Sequence, residues 1–325
     1  MLDVPAGTFT MGRRDDGDDG IHGQDDELPR HQVILSAYRI GKYEVTNRQY
    51  CDVMNWAQRQ GYLEDSTGGP YSGGDVYYNG NSLLRVTRGT CQISYTGGIF
   101  TWKSRDGYSM EDHPVVEISW HGAVAFLNWL SVATGMTPAY DLSTWELVDA
   151  DPGMAGVQFT NGFRLPTEAE WERAAAWDGS THWIYSMVSD TLTGWDRANY
   201  RPDINTKTNP LGLTEEPFTS PVGWFNGINI SPNMNVQTVD SPSPVGAYDM
   251  TGNVWEWCHD WYDHLYYGGG SMIDPTGPPS GIVRVGRSGS WNGAASGLRS
   301  ANRYNRNPTA HIDDLGLRVA AIPSD

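Results

Sequence analysis

Two carboxylates, Asp249 and Glu256, stand seven positions apart in the stretch Tyr248-Asp249-Met250-Thr251-Gly252-Asn253-Val254-Trp255-Glu256-Trp257, which runs on through Cys258-His259-Asp260-Trp261. Three tryptophans within seven positions supply a large apolar surface, and each indole N–H needs a partner once buried. Acids set among such rings are costly to bury unless a cation neutralises them. A hard ion such as Ca²⁺ fits that task, taking carboxylate and carbonyl oxygens from one short turn that Gly252 allows to bend tightly. An aromatic core turn whose acids face solvent or meet an arginine fits the spacing equally well, because no EF-hand spacing is present.

The segments that must position this turn differ in texture. Val4–Met11 and His31–Tyr43 alternate as strands, and between them Arg13–Glu27 carries a run of aspartates that reads as a solvated acidic loop. Thr46 is placed to cap a helix through Gln49, Val53 and Trp56, and Ser119 begins a second helix with Ala123, Leu127 and Leu130 on one face. Thr167 and Glu170 form a capping box ahead of Trp171 and the alanines 174 to 176. Residues 61–110 are rich in Gly, Tyr and Ser. Val76-Tyr77-Tyr78-Asn79-Gly80 and the run Ile93–Phe100 around Gly97-Gly98 predict hairpins there. We take 61–110 as a β-rich insertion within a single domain spanning 1–325. Beyond Trp177 the chain is turns and short strands, so the expected class is α+β: two main helices on small, twisted antiparallel sheets, rich in loops.

Composition narrows the function classes. The 325 residues hold 38 glycines, 14 tryptophans and 17 tyrosines, with only 38% hydrophobic residues, so the core is built from rings held by turns. A formal net charge of −17 repels nucleic acid and anionic membranes and suits cation binding. No apolar run is long enough to span a bilayer. Three cysteines, Cys51, Cys91 and Cys258, allow at most one disulfide, and no CxxC pair supports zinc or thioredoxin-like chemistry. The start Met1-Leu2-Asp3 shows neither the basic start nor the apolar run of a signal peptide, though a chain trimmed at its cleavage site would look the same; with such a signal removed, an extracytoplasmic location is expected.

Four motifs occur in order: Phe163-Arg164-Leu165-Pro166-Thr167-Glu168-Ala169-Glu170-Trp171-Glu172, Gly252-Asn253-Val254-Trp255-Glu256-Trp257, Arg287-Ser288-Gly289-Ser290-Trp291 and Leu315-Gly316-Leu317-Arg318. With Val4–Gly12 and Tyr43-Glu44-Val45-Thr46-Asn47, they resemble the formylglycine-generating enzyme (sulfatase-modifying factor) family, a variant of the C-type lectin fold. The resemblance covers nearly the whole chain except 61–110 and about 225–241. It implies a calcium held by the side chains of Asp249 and Glu256 and the carbonyls of Gly252 and Val254. It implies a second calcium site at Asn199, Tyr200, Glu216 and Phe218, with Glu216 where the family usually has Asp.

The same resemblance marks a departure. Oxidising members hold Cu(I) with two cysteines shortly after the Gly-Ser-aromatic motif, and soft thiolates suit that ion. Here the loop Ser290–Arg299 has none, with Gly293 and Leu298 at the corresponding positions, so neither copper nor formylglycine synthesis is expected. The eight histidines form no iron-binding cluster of the kind used by the sulfoxide synthases of the family. What remains is a recognition face. Trp291, Asn292, Asn302, Tyr304, Asn305 and Arg306 bring aromatic, amide and guanidinium groups into two neighbouring segments suited to a protein, peptide or small ligand. Arg299 and Arg303 are expected to support the fold instead. The expected function is a calcium-stabilised, non-oxidase binding or accessory protein. The alternatives are a maturation oxidase with a non-cysteine centre and a surface-displayed variable ligand-binding protein.

Overall fold

The computed structural model describes residues 1–149, 158–201, 209–268 and 270–323. Among the described residues four helices form: α1 (Gly17–His22), α2 (Asn47–Gln60), α3 (Trp120–Ala133) and α4 (Glu168–Ala176). The two long ones start where the sequence says they should. Thr46 and Gln49 close a reciprocal capping box at the start of α2, with Gln49 N–H on Thr46 Oγ1 at 3.2 Å and Thr46 N–H on Gln49 Oε1 at 3.0 Å. Ser119 Oγ accepts the Gly122 N–H at 3.0 Å to open α3. Thr167 and Glu170 do the same for α4. Each cap satisfies donors that the first helical turn leaves unpaired.

Helix α2 buries one stripe, Tyr50, Met54 and Ala57 among it, whereas α3 is buried nearly all round. A helix apolar on every side belongs in the interior. Tyr50 stacks on Phe126 at 5.1 Å between ring centroids and donates its hydroxyl to the Gly122 carbonyl. The expected hairpins of 61–110 form at Val76–Tyr78 with Asn81–Leu84 and at Ile93–Thr96 with Ile99–Trp102. Their Leu83, Leu84, Ile93 and Phe100 join the same buried cluster as α2 and α3.

The turn and its neighbours belong to a four-stranded sheet, in the order Tyr304–Arg306, Arg284–Arg287, Trp255–Trp261, Leu315–Leu317. The first two pairings are antiparallel, but Trp255–Trp261 runs parallel to Leu315–Leu317, with Glu256 opposite Gly316. Met272–Ile273 is also parallel to its neighbour in His31–Leu35. These two pairings depart from the expected all-antiparallel sheets, because strands far apart in the chain approach from the same end. The α+β class, with few helices on small sheets, stands. No helix of the described residues is long and apolar enough to cross a membrane.

The acidic segment is only partly the solvated loop expected: Asp15, Asp16 and Asp25 are exposed, but others are not. Asp19 and Glu27 are buried and hold the Arg299 guanidinium, with Arg299 Nη1 at 3.0 Å from Asp19 and 2.7 Å from Glu27. Asp18 accepts the Tyr185 hydroxyl at 2.7 Å and Asp26 that of Tyr262 at 2.7 Å. Spacing could not reveal this, because every partner lies far along the chain.

Close packing of α3 on the insertion yields a test. A Cβ added at Gly122 would lie 2.1 Å from the Leu83 carbonyl oxygen, a backbone atom. Alanine improves helix propensity by about 1 kcal/mol, but forcing α3 off this strand costs roughly 2 kcal/mol or more. Gly122→Ala should therefore lower the urea midpoint, and a midpoint at or above that of the parent protein would show that the strand does not press on α3.

Candidate functional site

Glu256 is fully buried in the middle of the four-stranded sheet. Trp171 Nε1 donates to Glu256 Oε2 at 2.7 Å, while Arg318 Nε donates to Oε2 at 2.9 Å and its Nη2 to Oε1 at 2.6 Å. Arg318 also donates to the carbonyls of Gly41 and Tyr248, so a single guanidinium ties the turn to the N-terminal strands. The alternative that an acid of this turn meets an arginine holds for Glu256.

Asp249 lies on the same turn, with φ +60, and accepts the Gly223 N–H through Oδ2 at 2.5 Å. Burial pushes its carboxyl up to about 6, opposed by the Gly223 N–H and Arg318 and aided by Glu256. The turn is sealed by Ser288, whose hydroxyl donates to the carbonyls of Asp249 and Gly252 at 3.1 Å each. A Cβ at Gly252, where φ is +91, would stand 2.5 Å from the Asn199 carbonyl oxygen, so only glycine fits there.

Two residues without an assigned role complete the site. Asn253 accepts from Asn199 Nδ2 and the Ser220 N–H, and donates to Glu44 Oε2 at 2.9 Å. Glu44 is buried, and burial followed by the charges of Asp249 and Glu256 raises its pKa well above the ordinary value. No spacing rule links Glu44 to Glu256. Its only sequence signal was its place in the Tyr43–Asn47 motif.

Three buried carboxylates, Glu44, Asp249 and Glu256, thus share one guanidinium, Arg318. That imbalance suits either protonation or a divalent cation. Of the expected calcium ligands, Glu256 is committed to Arg318 and Trp171, Asp249 takes the Gly223 N–H and the Gly252 carbonyl takes the Ser288 hydroxyl. Among the described residues no group of three or more His, Cys, Asp or Glu side chains is arranged to hold a metal ion.

The second expected set is partly assembled. Asn199 Nδ2 donates to the Phe218 carbonyl at 2.9 Å and Tyr200 is buried beside it, so Asn199, Tyr200 and Phe218 share one region. The Glu216 carbonyl accepts from Arg105, and Glu216 adds to the rise that burial causes at Asp313.

All three cysteines are buried and unpaired, so the possible disulfide does not form. Burial pushes the Cys91 thiol up to about 11 and that of Cys258 well above its ordinary value. Neither is a thiolate nucleophile near neutral pH. At the positions where a cysteine pair was sought, a Cβ at Gly293 would lie 3.1 Å from Leu298 Cδ1. The Leu298 side chain lies where a side chain at position 293 would go, and neither residue carries an atom that can ligate copper.

The expected recognition face divides. Trp291 is buried, edge-on to Phe218 with ring centroids 5.2 Å apart, and Asn302 is buried with its amide on the Gly297 carbonyl. Both support the loops from beneath, a correction to the expected face. Asn292 is exposed and accepts from Arg201 at 3.2 Å. Tyr304 stacks on Trp255 at 4.3 Å with 12° between the planes, and the exposed Arg306 guanidinium lies 4.2 Å above the Tyr304 ring. Asn305 is half-buried on the same edge strand. Arg299 and Arg303 support the fold as expected, Arg303 by two hydrogen bonds to Glu168 at 2.7 and 2.9 Å.

Residues 1–322 match the family described as Sulfatase-modifying factor enzyme 1-like domain. The chain is 31% identical to a serine/threonine-protein kinase pkn1 of Chlamydia pneumoniae over 98% of its own length, and spans 37% of that relative. It is 29% identical to a formylglycine-generating enzyme of Thermomonospora curvata, covering 99% of this chain and 93% of that protein. Among solved structures, Treponema denticola variable protein 1 and PvdO from Pseudomonas aeruginosa each share the fold with a TM-score of 0.61 at 24% identity, covering 99% of this chain and 95% and 93% of theirs.

The titration of Asp249 gives a test of the site. Its folded pKa of about 6 lies above the ordinary carboxylate value of about 3.9. The native state holds this proton more tightly than the unfolded chain, so its contribution rises as pH falls from above 6 toward 4. In chelator, Asp249→Asn should remove up to roughly 2–3 kcal/mol of that pH dependence. Identical slopes of stability against pH in variant and parent would mean that Asp249 is not strained at neutral pH.

Proposed function

Because the chain belongs to the sulfatase-modifying factor enzyme 1-like family, we propose that it is a calcium-stabilised, non-oxidase member that acts as a binding or accessory module. The observation that carries this reading is the loop Ser290–Arg299, which has Gly293 and Leu298 and no cysteine where the family's copper chemistry would need two thiolates. The chain's three thiols are all sealed in the core, so no other cysteine can take that part.

The binding surface in this reading is the edge built by Tyr304, Asn305 and Arg306 on Trp255, with Asn292 on the neighbouring loop. Three stacked layers, indole, phenol and guanidinium, offer a rigid platform at little entropic cost. Arg306 supplies exposed positive charge on a chain of net charge −17, which favours a carboxylate-bearing peptide or small ligand at that point. Calcium in this reading holds the turn beneath the platform. Asp249, Gly252 and Val254 would bind it, with Glu256 positioned by Arg318; a second ion would be held by Asn199, Tyr200, Glu216 and Phe218. The ion supplies charge balance and rigidity, not redox chemistry.

Chelation should lower the melting temperature, since a ligand bound only to the native state at a hundred times its Kd contributes about 2.7 kcal/mol. Asp249→Asn should lose most of that response. A melting curve indifferent to chelator, with no calcium found in the purified protein, would remove the ion from the proposal.

The binding role has its own test. Arg306→Ala should leave melting nearly unchanged while weakening capture of a partner from native extract by tenfold or more, whereas Tyr304→Ala removes the ring stacked on Trp255 and should weaken capture and lower melting together. A cysteine peptide of the sulfatase type, incubated with the protein, Cu(I) and oxygen, should keep its thiol by mass spectrometry. Protein-dependent aldehyde formation would overturn the non-oxidase reading.

A further inference from the structure

Among the described residues most buried arginines hold a buried carboxylate, and two, Arg284 and Arg173, do not. Arg164, Arg287, Arg299, Arg303 and Arg318 each hold a buried carboxylate. Arg284 is sandwiched between Trp120 and Trp261 at 3.8 and 3.5 Å. Arg173, in the last turn of α4, is only 7% exposed, yet among the described residues it makes no ion pair. Its Nη1 donates to the Gly7 carbonyl at 2.8 Å, and among the described residues its guanidinium makes no other hydrogen bond. Arg173 lines a cleft of about 400 Å³, within the size range of small-molecule sites.

The walls of the cleft have a definite chemistry. The half-buried Trp177 and the residues Pro5, Pro244 and Val245 give the cleft its apolar surface. Two acids stand at the rim. Asp178 takes N–H groups from Thr181, Ser180 and the Trp183 indole and is held down to about 2, so it is ionised and its oxygens are occupied. Asp3 is exposed and lies 3.6 Å from Arg39.

We propose that this cleft binds a small monocarboxylate with a flat apolar body, its carboxylate on the free side of the Arg173 guanidinium and its body between Trp177 and Pro244-Val245. A guanidinium matches a carboxylate with two parallel N–H bonds, and a partly desolvated pair is stronger than a surface one. The two acids repel any anion, and a dianion such as phosphate about twice as strongly as a monocarboxylate. Burial lowers the Arg173 pKa, with Tyr38 opposing, as expected of a cation that has lost water without gaining an anion. The site lies on α4 and the N-terminal strand, away from the Tyr304–Arg306 edge, and stands independently of the proposed function.

Benzoate is the probe, with neutral benzamide and inorganic phosphate as controls, read by ligand-observed saturation-transfer NMR and by thermal shift on the full chain. Benzoate should bind and raise the melting temperature, while benzamide and phosphate should do neither at equal concentration. Arg173→Gln should weaken benzoate at least tenfold, and Arg173→Lys should restore part of the loss. Should Arg173→Gln fail to fold, Val245→Trp fills the cleft with the arginine intact and should abolish benzoate binding. Equal binding of benzamide, benzoate binding unchanged by either cleft variant, or no benzoate binding at millimolar concentration would each overturn the proposal.

Discussion

A carboxylate with no exposure must be neutralised within the protein, and Glu256 is neutralised by Arg318. Breaking such a pair from one side leaves the other charge stranded, at a cost of about 3–5 kcal/mol. The pair also fixes geometry. Arg318 sits just beyond the strand that runs parallel to Trp255–Trp261, and its remaining N–H groups take the carbonyls of Gly41 and Tyr248. Central sheet, N-terminal strands and aromatic turn are therefore held at one guanidinium.

The same device recurs through the molecule. Arg287 binds Glu168 and Glu172, Arg303 shares Glu168, and Arg299 reaches back to Asp19 and Glu27. The chain's cations are nearly all arginine rather than lysine, which suits planar, two-pronged pairing in a buried setting. A core with few aliphatic side chains and many loops gains its definition from these pairs and from ring contacts. The strong negative charge is thus partly internal: several acids that look like surface decoration are structural partners.

Local features were legible because their partners are close in the chain. Thr46, Ser119 and Thr167 cap the helices they were expected to cap, and Asn79-Gly80 and Gly97-Gly98 turn the expected hairpins. The acidic stretch was partly misread, for the opposite reason. Its charge run resembles a solvated loop, yet Asp19 and Glu27 are buried by an arginine hundreds of residues away, and nothing in the run announces that partner. Trp291 was misplaced similarly: an aromatic ring in a loop can be platform or plug, and Phe218 makes it a plug.

By itself the sequence determined the helix starts, the hairpins, the absence of a cysteine pair and the family to which the motifs point, since each rests on residue identity or on spacings of a few residues. Only the tertiary structure decided which acids are paired, which rings are exposed and which buried arginines lack a counter-charge. Those outcomes depend on desolvation and on partners brought together by the fold. Asp249 and Glu256 look alike in the sequence, but one takes a backbone N–H and is pushed toward protonation, while the other is locked to Arg318. The energy of a buried charge depends on what lies within a few ångströms, and sequence separation carries no measure of that distance.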